Sequence, residues 1–398
     1  MYIHLTNRPW QILNRVSAEK KFRIVKIAIF TGNYNHIRDG VSLTLNRLVQ
    51  FLESKGVDVL IFGPSVDPPA IEHSGTLIPV PSFPLPGRPE YRFSRSLPRA
   101  EIDELVSFDP DIIHIATPDF LGLKALRWAV KNRKPVVSSY HTHFSSYLKY
   151  YKLRILEPVL WRYLRWFYRH CKQIYVPSES MAAVLEQKGI QSDLKIWARG
   201  IDQSLFHPGK RDSGWRKLHG FSDTDVVITF VSRLVWEKNL KLFATVVNQL
   251  KQQYPQVKPL IAGDGPALEG VKKLIKNGTF TGFITGEELA TAYASSDIFF
   301  FPSDTETFGN VTLEAMASGL PCIVADASGS RSLVDHGKNG YVIPVERSDI
   351  FYQMAGTLIS DPQLRTRMSE HSVKRAEKYS WNAVNGALLE YYHEVLAK

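Results

Sequence analysis

The sequence predicts an α/β protein of two Rossmann-like domains in tandem, and three observations carry that reading. Short apolar runs of strand length alternate with amphipathic stretches of helical period along nearly all of its 398 residues. Such strand–helix–strand repetition gives a parallel sheet with helices on both faces. The rhythm breaks once, in the Gly-, Pro-, Asp- and Ser-rich stretch Arg199–Gly220, and then restarts. The length agrees, because single hydrophobic cores stop growing at about 250–300 residues. The expected division is a first domain over residues 1–200 and a second over 201–380.

Arg23–Thr31 (RIVKIAIFT) is the first strand, apolar enough to be buried on both faces. Asp39-Gly40 marks a turn, and Ser42–Lys55 follows as a helix with Leu45, Leu48, Val49 and Leu52 at helical spacing. Val57–Phe62 is the next strand; Asp111–Ala116 and Pro135–Tyr140 are two more, joined by a crossover helix over Leu121–Lys131. Beyond the break, strands are expected at Val226–Ser232, Lys258–Ala262, Phe280–Gly282, Asp297–Pro302 and Pro321–Asp326. Helices are expected over Asn239–Gln252 and from about Gly309 to Ser318, where Gly319 and Pro321 form a helix stop. Residues 1–22 and those after Tyr379 fit neither repeat.

Composition narrows the functional classes. Hydrophobic residues at 44% and charged residues at 22% exclude wholesale disorder and collagen-like structure. Cys171 and Cys322 make neither a disulfide framework nor a C-x-x-C metal site, so a reducing compartment is expected. The first thirty residues carry six Lys/Arg without the apolar core and cleavage site of a secretory signal. No apolar run reaches the roughly 18 residues of a bilayer-spanning helix. The formal net charge of +10 points to an anionic partner: a polyphosphate, a nucleic acid or a membrane surface. No nucleic-acid-binding motif accompanies it, and no nucleic-acid partner is expected.

The densest group of candidate residues lies in Phe299–Asp326 (FFFPSDTETFGNVTLEAMASGLPCIVAD). Glu306, Phe308 and Gly309 fall at the carboxyl end of a parallel strand, where open α/β sheets bind ligands. The N–H groups of Gly309, Asn310 and Val311 form an anion site with the helix dipole. Glu314 lies one turn after Asn310 on the same face, so Glu306 and Glu314 are placed to bond hydroxyls on either side of a bound phosphate. In isolation, two solvated glutamates on a surface helix would read the same way. In Phe230–Lys238 (FVSRLVWEK), Arg233 and Lys238 stand between a strand end and a helix. There they would face the Gly309 helix and support a departing diphosphate, or simply be a solvated charge pair. No metal ion is assigned. Ser138–Phe144 (SSYHTHF) puts His141 at another strand end, donating to a sugar hydroxyl or phosphate. His143 follows, without a third metal ligand at familiar spacing. His114, inside a strand, is expected to be a satisfied core residue.

Val159–Lys172 (VLWRYLRWFYRHCK) reads as an amphipathic helix with Pro158 in its first turn. Leu160, Leu164, Phe167 and Cys171 form its apolar face, and Arg162, Arg165, Arg169 and Lys172 a basic stripe. Trp161, Tyr163, Trp166 and Tyr168 occupy the flanks, where amphipathic rings favour a lipid headgroup boundary. Lys149, Lys152 and Arg154 add charge upstream, so residues 149–172 are expected to meet an anionic membrane surface at about 1 kcal/mol per cation. The competing reading is a domain helix that buries its apolar face.

Together, ETFGNVTLEAMASGLPCIVA, FVSRLVWEK, the GDGP of 263–266, SYHTH and the RGIDQSLFHP of 199–208 resemble the family 4 retaining glycosyltransferases of the GT-B fold. The likeness covers about residues 23–395 and is greatest to lipid-directed members: phosphatidylinositol and diacylglycerol mannosyltransferases and the sulfoquinovosyltransferase group. It implies two Rossmann-like domains facing each other across a cleft, with a last helix over about 381–398 packing back onto the first. It implies that Glu306 binds a donor-sugar hydroxyl, that Glu314 holds the ribose, and that Arg233 and Lys238 clamp the diphosphate. His141 would lie close to the reacting sugar. Amides of Phe308, Gly309, Asn310 and Val311, with Gly40 and Gly265, would complete the donor site. The implied reaction moves a hexosyl unit from GDP-mannose, or otherwise a UDP-hexose, to a hydroxyl of a membrane lipid or lipid-linked glycan. Anomeric configuration would be retained, without cofactor or metal, on the cytoplasmic face of a membrane. A nucleotide-sugar epimerase of the same fold, a transferase with a soluble glycan acceptor and a non-catalytic binding module are the alternatives. Two positions depart from the family pattern: Asp39-Gly40 stands where Gly-Gly is usual, and Asn239 where glycine often follows the lysine.

Overall fold

Strands that are apolar at every position need cover on both faces, and the computed structural model supplies it. It describes residues 24–37, 39–85, 88–94, 96–140, 157–306 and 308–397. The first part of the chain contributes β1 (Lys26–Phe30), β2 (Asp58–Gly63), β3 (Thr76–Pro79), β4 (Phe83–Leu85), β5 (Arg88–Phe93), β6 (Ile112–Ile115), β7 (Val136–Ser139), β8 (Gln173–Val176) and β9 (Asp193–Ile196). The second contributes β10 (Val226–Val231), β11 (Val257–Ala262), β12 (Thr279–Gly282), β13 (Ile298–Phe301), β14 (Cys322–Ala325) and β15 (Gly340–Ile343). A seven-stranded sheet runs β3-β2-β1-β6-β7-β8-β9 and a six-stranded sheet β12-β11-β10-β13-β14-β15; β4 and β5 pair separately as an antiparallel hairpin. The central pairs β1–β2, β1–β6, β10–β11 and β10–β13 are all parallel. In each sheet the strand order reverses beside its first strand, between β1 and β6 and between β10 and β13. Ligand crevices of doubly wound sheets open outside the carboxyl ends of such strands.

Side chains alternate across each strand, so β1 serves two cores. Ile27 and Ile29 pack with helices Gly40–Ser54 and Trp381–Ala397, whereas Ala28 and Phe30 pack with helices Phe120–Lys131 and Glu157–Tyr168. The last helix thus lies on the first sheet, seated by Val384, Leu388, Tyr392 and Val395. Around Arg199 the chain leaves the first sheet, and around Ser380 it returns. The two crossings touch: Ile201 N–H donates to the Tyr379 carbonyl at 2.7 Å.

The helix expected to dip into lipid instead buries its apolar face in the first domain. It spans Glu157–Tyr168, and Trp161, Leu164, Phe167 and Tyr168 are buried in the domain core. Trp161 and Tyr168 are therefore core residues, not boundary rings. The spacing made a good amphipathic helix, but the apolar arc is wider than four residues and the sheet uses all of it. Arg162, Arg165, Arg169 and Lys172 remain exposed. Lys149, Lys152 and Arg154 lie outside the described residues, as do His141 and His143. Among the described residues no helix is long and apolar enough to cross a membrane.

Candidate active site

The carboxyl ends of β10, β11 and β12 meet the start of helix Asn310–Ala317 around a cavity of about 540 Å³. Its walls include Ser232 and Arg233 after β10, Gly263 and Asp264 after β11, Phe283 after β12, and Asn310 and Glu314 on the helix. Glycine makes this closeness possible. A Cβ on Gly263, at φ +134°, would sit 1.9 Å from the Ser232 carbonyl oxygen, and one on Gly265 would sit 2.4 Å from that of Leu234. The GDGP turn can therefore lie flat against residues 232–234. Gly265 is occupied by that contact, while Gly263 and Asp264 reach the cavity wall.

Gly309 begins the helix in the left-handed region at φ +93° and brings no side-chain cap, which leaves the helix N-terminus to whatever anion enters the crevice. Arg233 lines the same cavity. One turn into the helix, Glu314 accepts a hydrogen bond from the Tyr293 hydroxyl at 3.2 Å. Burial pushes the Glu314 carboxyl up to about 7, and the Tyr293 bond pulls the other way. Such a carboxylate binds hydroxyl groups well when ionised, since its remaining lone pairs have no competing solvent.

Lys238 Nζ lies 2.6 Å from Glu306 Oε1 and 3.2 Å from Thr305 Oγ1, and Ser303 Oγ donates to the same glutamate oxygen at 3.2 Å. The two residues, 68 apart in sequence, are thus joined across the β10–β13 switch point. Asn239 explains the position where glycine is usual. Its φ of +55° is left-handed, a region asparagine tolerates, and its amide donates to the Pro302 carbonyl at 2.9 Å. The side chain ties the Lys238 turn to the Glu306 turn.

Comparison with known proteins fits this geometry. Residues 38–205 match the family described as Glycosyltransferase Family 4, and residues 213–375 that described as Glycosyl transferases group 1. A GDP-mannose-dependent alpha-mannosyltransferase of Corynebacterium glutamicum is 30% identical over 94% of this chain and 90% of its own length. The chain belongs to glycosyltransferase family 4. An alpha-monoglucosyldiacylglycerol synthase of Streptococcus pneumoniae is 27% identical, over 88% of this chain and 81% of the relative. The sucrose-phosphate synthase of Thermosynechococcus elongatus superposes with a TM-score of 0.71 at 19% identity, covering 94% of this chain and 99% of that one. The fold is accordingly GT-B, two Rossmann-like domains facing each other across a cleft.

In this glycosyltransferase the structure brings Arg233, Asn310, Val311 and Glu314 to one cavity and pairs Lys238 with Glu306 beside it. The ring of Phe308 is buried and packs edge-on to Tyr379, 6.0 Å between centroids, which is compatible with the expected role of its amide. Gly40 is not on the wall of this cavity. Its carbonyl accepts from Arg199 Nη1 at 2.8 Å, and a Cβ there would collide with that guanidinium. The start of helix Gly40–Ser54 is already capped by Asp39, whose Oδ1 accepts from the amides of Val41 (3.0 Å) and Ser42 (2.8 Å). An anion at that helix end would compete with the Asp39 carboxylate for the same amides.

Two Asp-x-Asp spacings occur in the sequence, Asp109–Asp111 and Asp223–Asp225. They precede β6 and β10, at the amino edges of the sheets, away from the cavity; Asp111 accepts from the Lys26 amide and Asp225 from the Ser222 amide. Among the described residues no cluster of three metal-ligating side chains occurs. Sequence reading passed over Tyr293, Ser303 and Thr305. The latter two stand inside the motif already singled out, whereas Tyr293 carries no local signal.

Proposed function

We propose that this family 4 glycosyltransferase moves a hexosyl unit from a nucleotide diphosphate sugar to a hydroxyl of a membrane lipid or lipid-linked glycan, with retained anomeric configuration. GDP-mannose is the first candidate donor and a UDP-hexose the second. The observation that carries the reading is the joining of Lys238 and Glu306 beside the cavity that holds Arg233, Glu314 and an open helix N-terminus. Nucleoside fits against Glu314, which takes the ribose hydroxyls. The diphosphate lies between Arg233, Lys238 and the Asn310–Ala317 helix end. Glu306 turns from Lys238 to a sugar hydroxyl and acts as a positioning residue.

In the reaction the bond between the anomeric carbon and the diphosphate oxygen breaks as the acceptor oxygen bonds to the same face of that carbon. The acceptor's proton passes to the departing phosphate. Preorganised cations and dipoles stabilise the charge that develops there, and this is the main catalytic contribution. No metal is needed in this scheme, and His141 is assigned to the sugar's surroundings. The diacylglycerol named for the pneumococcal relative supports a lipid acceptor. The exposed Arg162, Arg165 and Arg169 support peripheral attachment to an anionic, cytoplasmic membrane face.

The test is incubation of the purified protein with labelled GDP-mannose and UDP-hexoses, with and without a membrane lipid extract, in EDTA. Label should enter the organic phase from one donor, and nucleotide diphosphate should be released only when acceptor is present. In Lys238→Ala, turnover should fall by at least about a hundredfold while nucleoside binding changes little, because its charge matters most as the diphosphate departs. Nucleotide release without acceptor, activity lost to EDTA and restored by Mg²⁺, or label only in soluble glycan would each overturn the matching part.

A further inference from the structure

The first domain carries a second surface that the donor site does not use. Phe83 and Leu85, on the hairpin β4–β5, are each 40% exposed, and Phe120, which opens helix Phe120–Lys131, is 55% exposed. The rings of Phe83, Phe93 and Phe120 stand in series: Phe83 is 5.5 Å from Phe93, and Phe93 is 5.1 Å from Phe120, centroid to centroid. Beside Phe120 an apolar recess of about 250 Å³ is walled by Leu123 and Tyr163. Tyr163 stacks on Trp166, and Trp166 walls a larger groove of about 730 Å³ that also carries Arg162, Arg165 and Arg169. Aromatic tip, apolar recess and cationic groove are therefore one continuous surface.

Its chemistry selects the occupant. Single exposed apolar residues need no explanation, but a run of rings ending in a cationic groove marks an interface. Arg165 gives one hydrogen bond, to the Lys188 carbonyl, and among the described residues none of the three arginines is paired with a carboxylate. A nucleic-acid duplex or an acidic protein would satisfy the arginines and leave Phe83, Leu85 and Phe120 in water, and a single strand stacking its bases on the rings would leave Leu85 there. A second copy of a chain with net charge +10 would bring like charges together. An anionic bilayer satisfies both halves, acyl boundary to the rings and phosphates to the guanidinium groups.

We infer that this surface seats the first domain on an anionic phospholipid bilayer, with Phe83, Leu85 and Phe120 at the acyl boundary and headgroup phosphates in the Arg162–Arg169 groove. The inserted part is thus Phe83 and Leu85 of β4 with the Phe120 helix start, in place of the buried face of Glu157–Tyr168. Phe120 follows the carboxyl end of β6, the edge on which the ligand crevice opens, so a bilayer seated there presents its lipid hydroxyls to the cleft. The inference takes its purpose from the lipid-acceptor reading, but its test does not depend on activity.

Cys171 and Cys322 are buried, so Leu85→Cys can be labelled selectively with an environment-sensitive fluorophore. Vesicles of phosphatidylcholine with about 30 mol% phosphatidylglycerol should shift its emission to the blue, and neutral vesicles should do so far less. The combined Phe83→Ser, Leu85→Ser, Phe120→Ser variant should lose vesicle partitioning about tenfold. Arg162→Gln, Arg165→Gln, Arg169→Gln should lose the preference for anionic lipid. Both variants should keep the wild-type circular dichroism and nucleotide-sugar binding. No blue shift, or partitioning unchanged in either variant, would overturn the inference. Displacement by inorganic phosphate would make the groove a site for free anions, and self-association through the rings without vesicle binding would make it a contact between copies; each also overturns it. Absence of donor binding in the wild type would instead count against the transferase reading.

Discussion

Glu314 faces two opposing demands, since the burial that makes its carboxylate a good partner for hydroxyls also favours its protonated form. With the group pushed up to about 7, it is ionised above neutrality and takes up a proton as the pH falls through that value. Donor kcat/KM should therefore decline on the acidic side of neutrality. Tyr293→Phe removes the hydrogen bond that favours the ionised form, so the decline should move upward by about one pH unit with little loss at high pH. The pH dependence of kcat/KM for both proteins is the measurement, and coincident curves would take Tyr293 out of the donor site. Arg233, Lys238, Glu306 and Glu314 were legible in the sequence because charged residues at strand ends and helix starts have little structural reason to be there. Tyr293 was not, because an aromatic residue on the apolar face of GEELATAYA reads as core, and its ring is indeed core. Only its hydroxyl, meeting a residue on the next helix, has a second role.

Between elements, His114 on β6 makes a fully buried polar link. It bonds the Tyr392 hydroxyl at 2.6 Å through Nδ1 and the Ser139 hydroxyl through Nε2, inside a shell of aromatic rings. Burial pushes it from 6.5 down to about 3. The unfolded chain therefore takes up this proton first, and stability is complete above 6.5 and lost as the pH falls toward 3, at about 1.4 kcal/mol per pH unit. His114→Gln can keep hydrogen bonds to both hydroxyls without the titration. Urea unfolding at pH 7 and pH 5 should differ by about 2 kcal/mol less in the variant than in the parent. Equal differences would mean that the imidazole does not link protons to folding. The element pattern itself was largely visible: Val57–Phe62 became Asp58–Gly63, and Val226–Ser232 became Val226–Val231. Helices Arg99–Phe108, Ser348–Ser360 and Pro362–Glu377 were not singled out, nor were several strands. Gln173–Val176 (QIYV) and Asp193–Ile196 (DLKI) mix polar residues into four positions, unlike the equally short but wholly apolar Ile298–Phe301, and the hairpin strands contain Pro84 and Pro89. Proline reads as a strand breaker and is tolerated there because that pair stands apart from both main sheets.

At the scale of the whole molecule, the two domains are joined by a pair of adjacent crossings rather than one tether. Gly200 on the outward crossing lies under the ring of Trp381 on the returning one, and a Cβ at residue 200 would come within 2.3 Å of that ring. Trp381 is itself held over the Arg47 guanidinium, 4.9 Å away, so it has little room to yield. Gly200→Ala should cost about 1–3 kcal/mol by overpacking, seen as a lowered melting temperature. Trp381→Ala in the same chain should recover part of it, and an unchanged melting temperature would show that the crossings slide freely. The returning helix has another consequence, in the order of synthesis. A ribosome finishes the strands of the first sheet by Ile196, long before Val384, Leu388, Tyr392 and Val395 exist to cover one of its faces. The half of the enzyme made first is therefore completed last. While the second half is translated and folds, the nascent first half holds an open apolar trough and a histidine whose tyrosine partner has not yet been made.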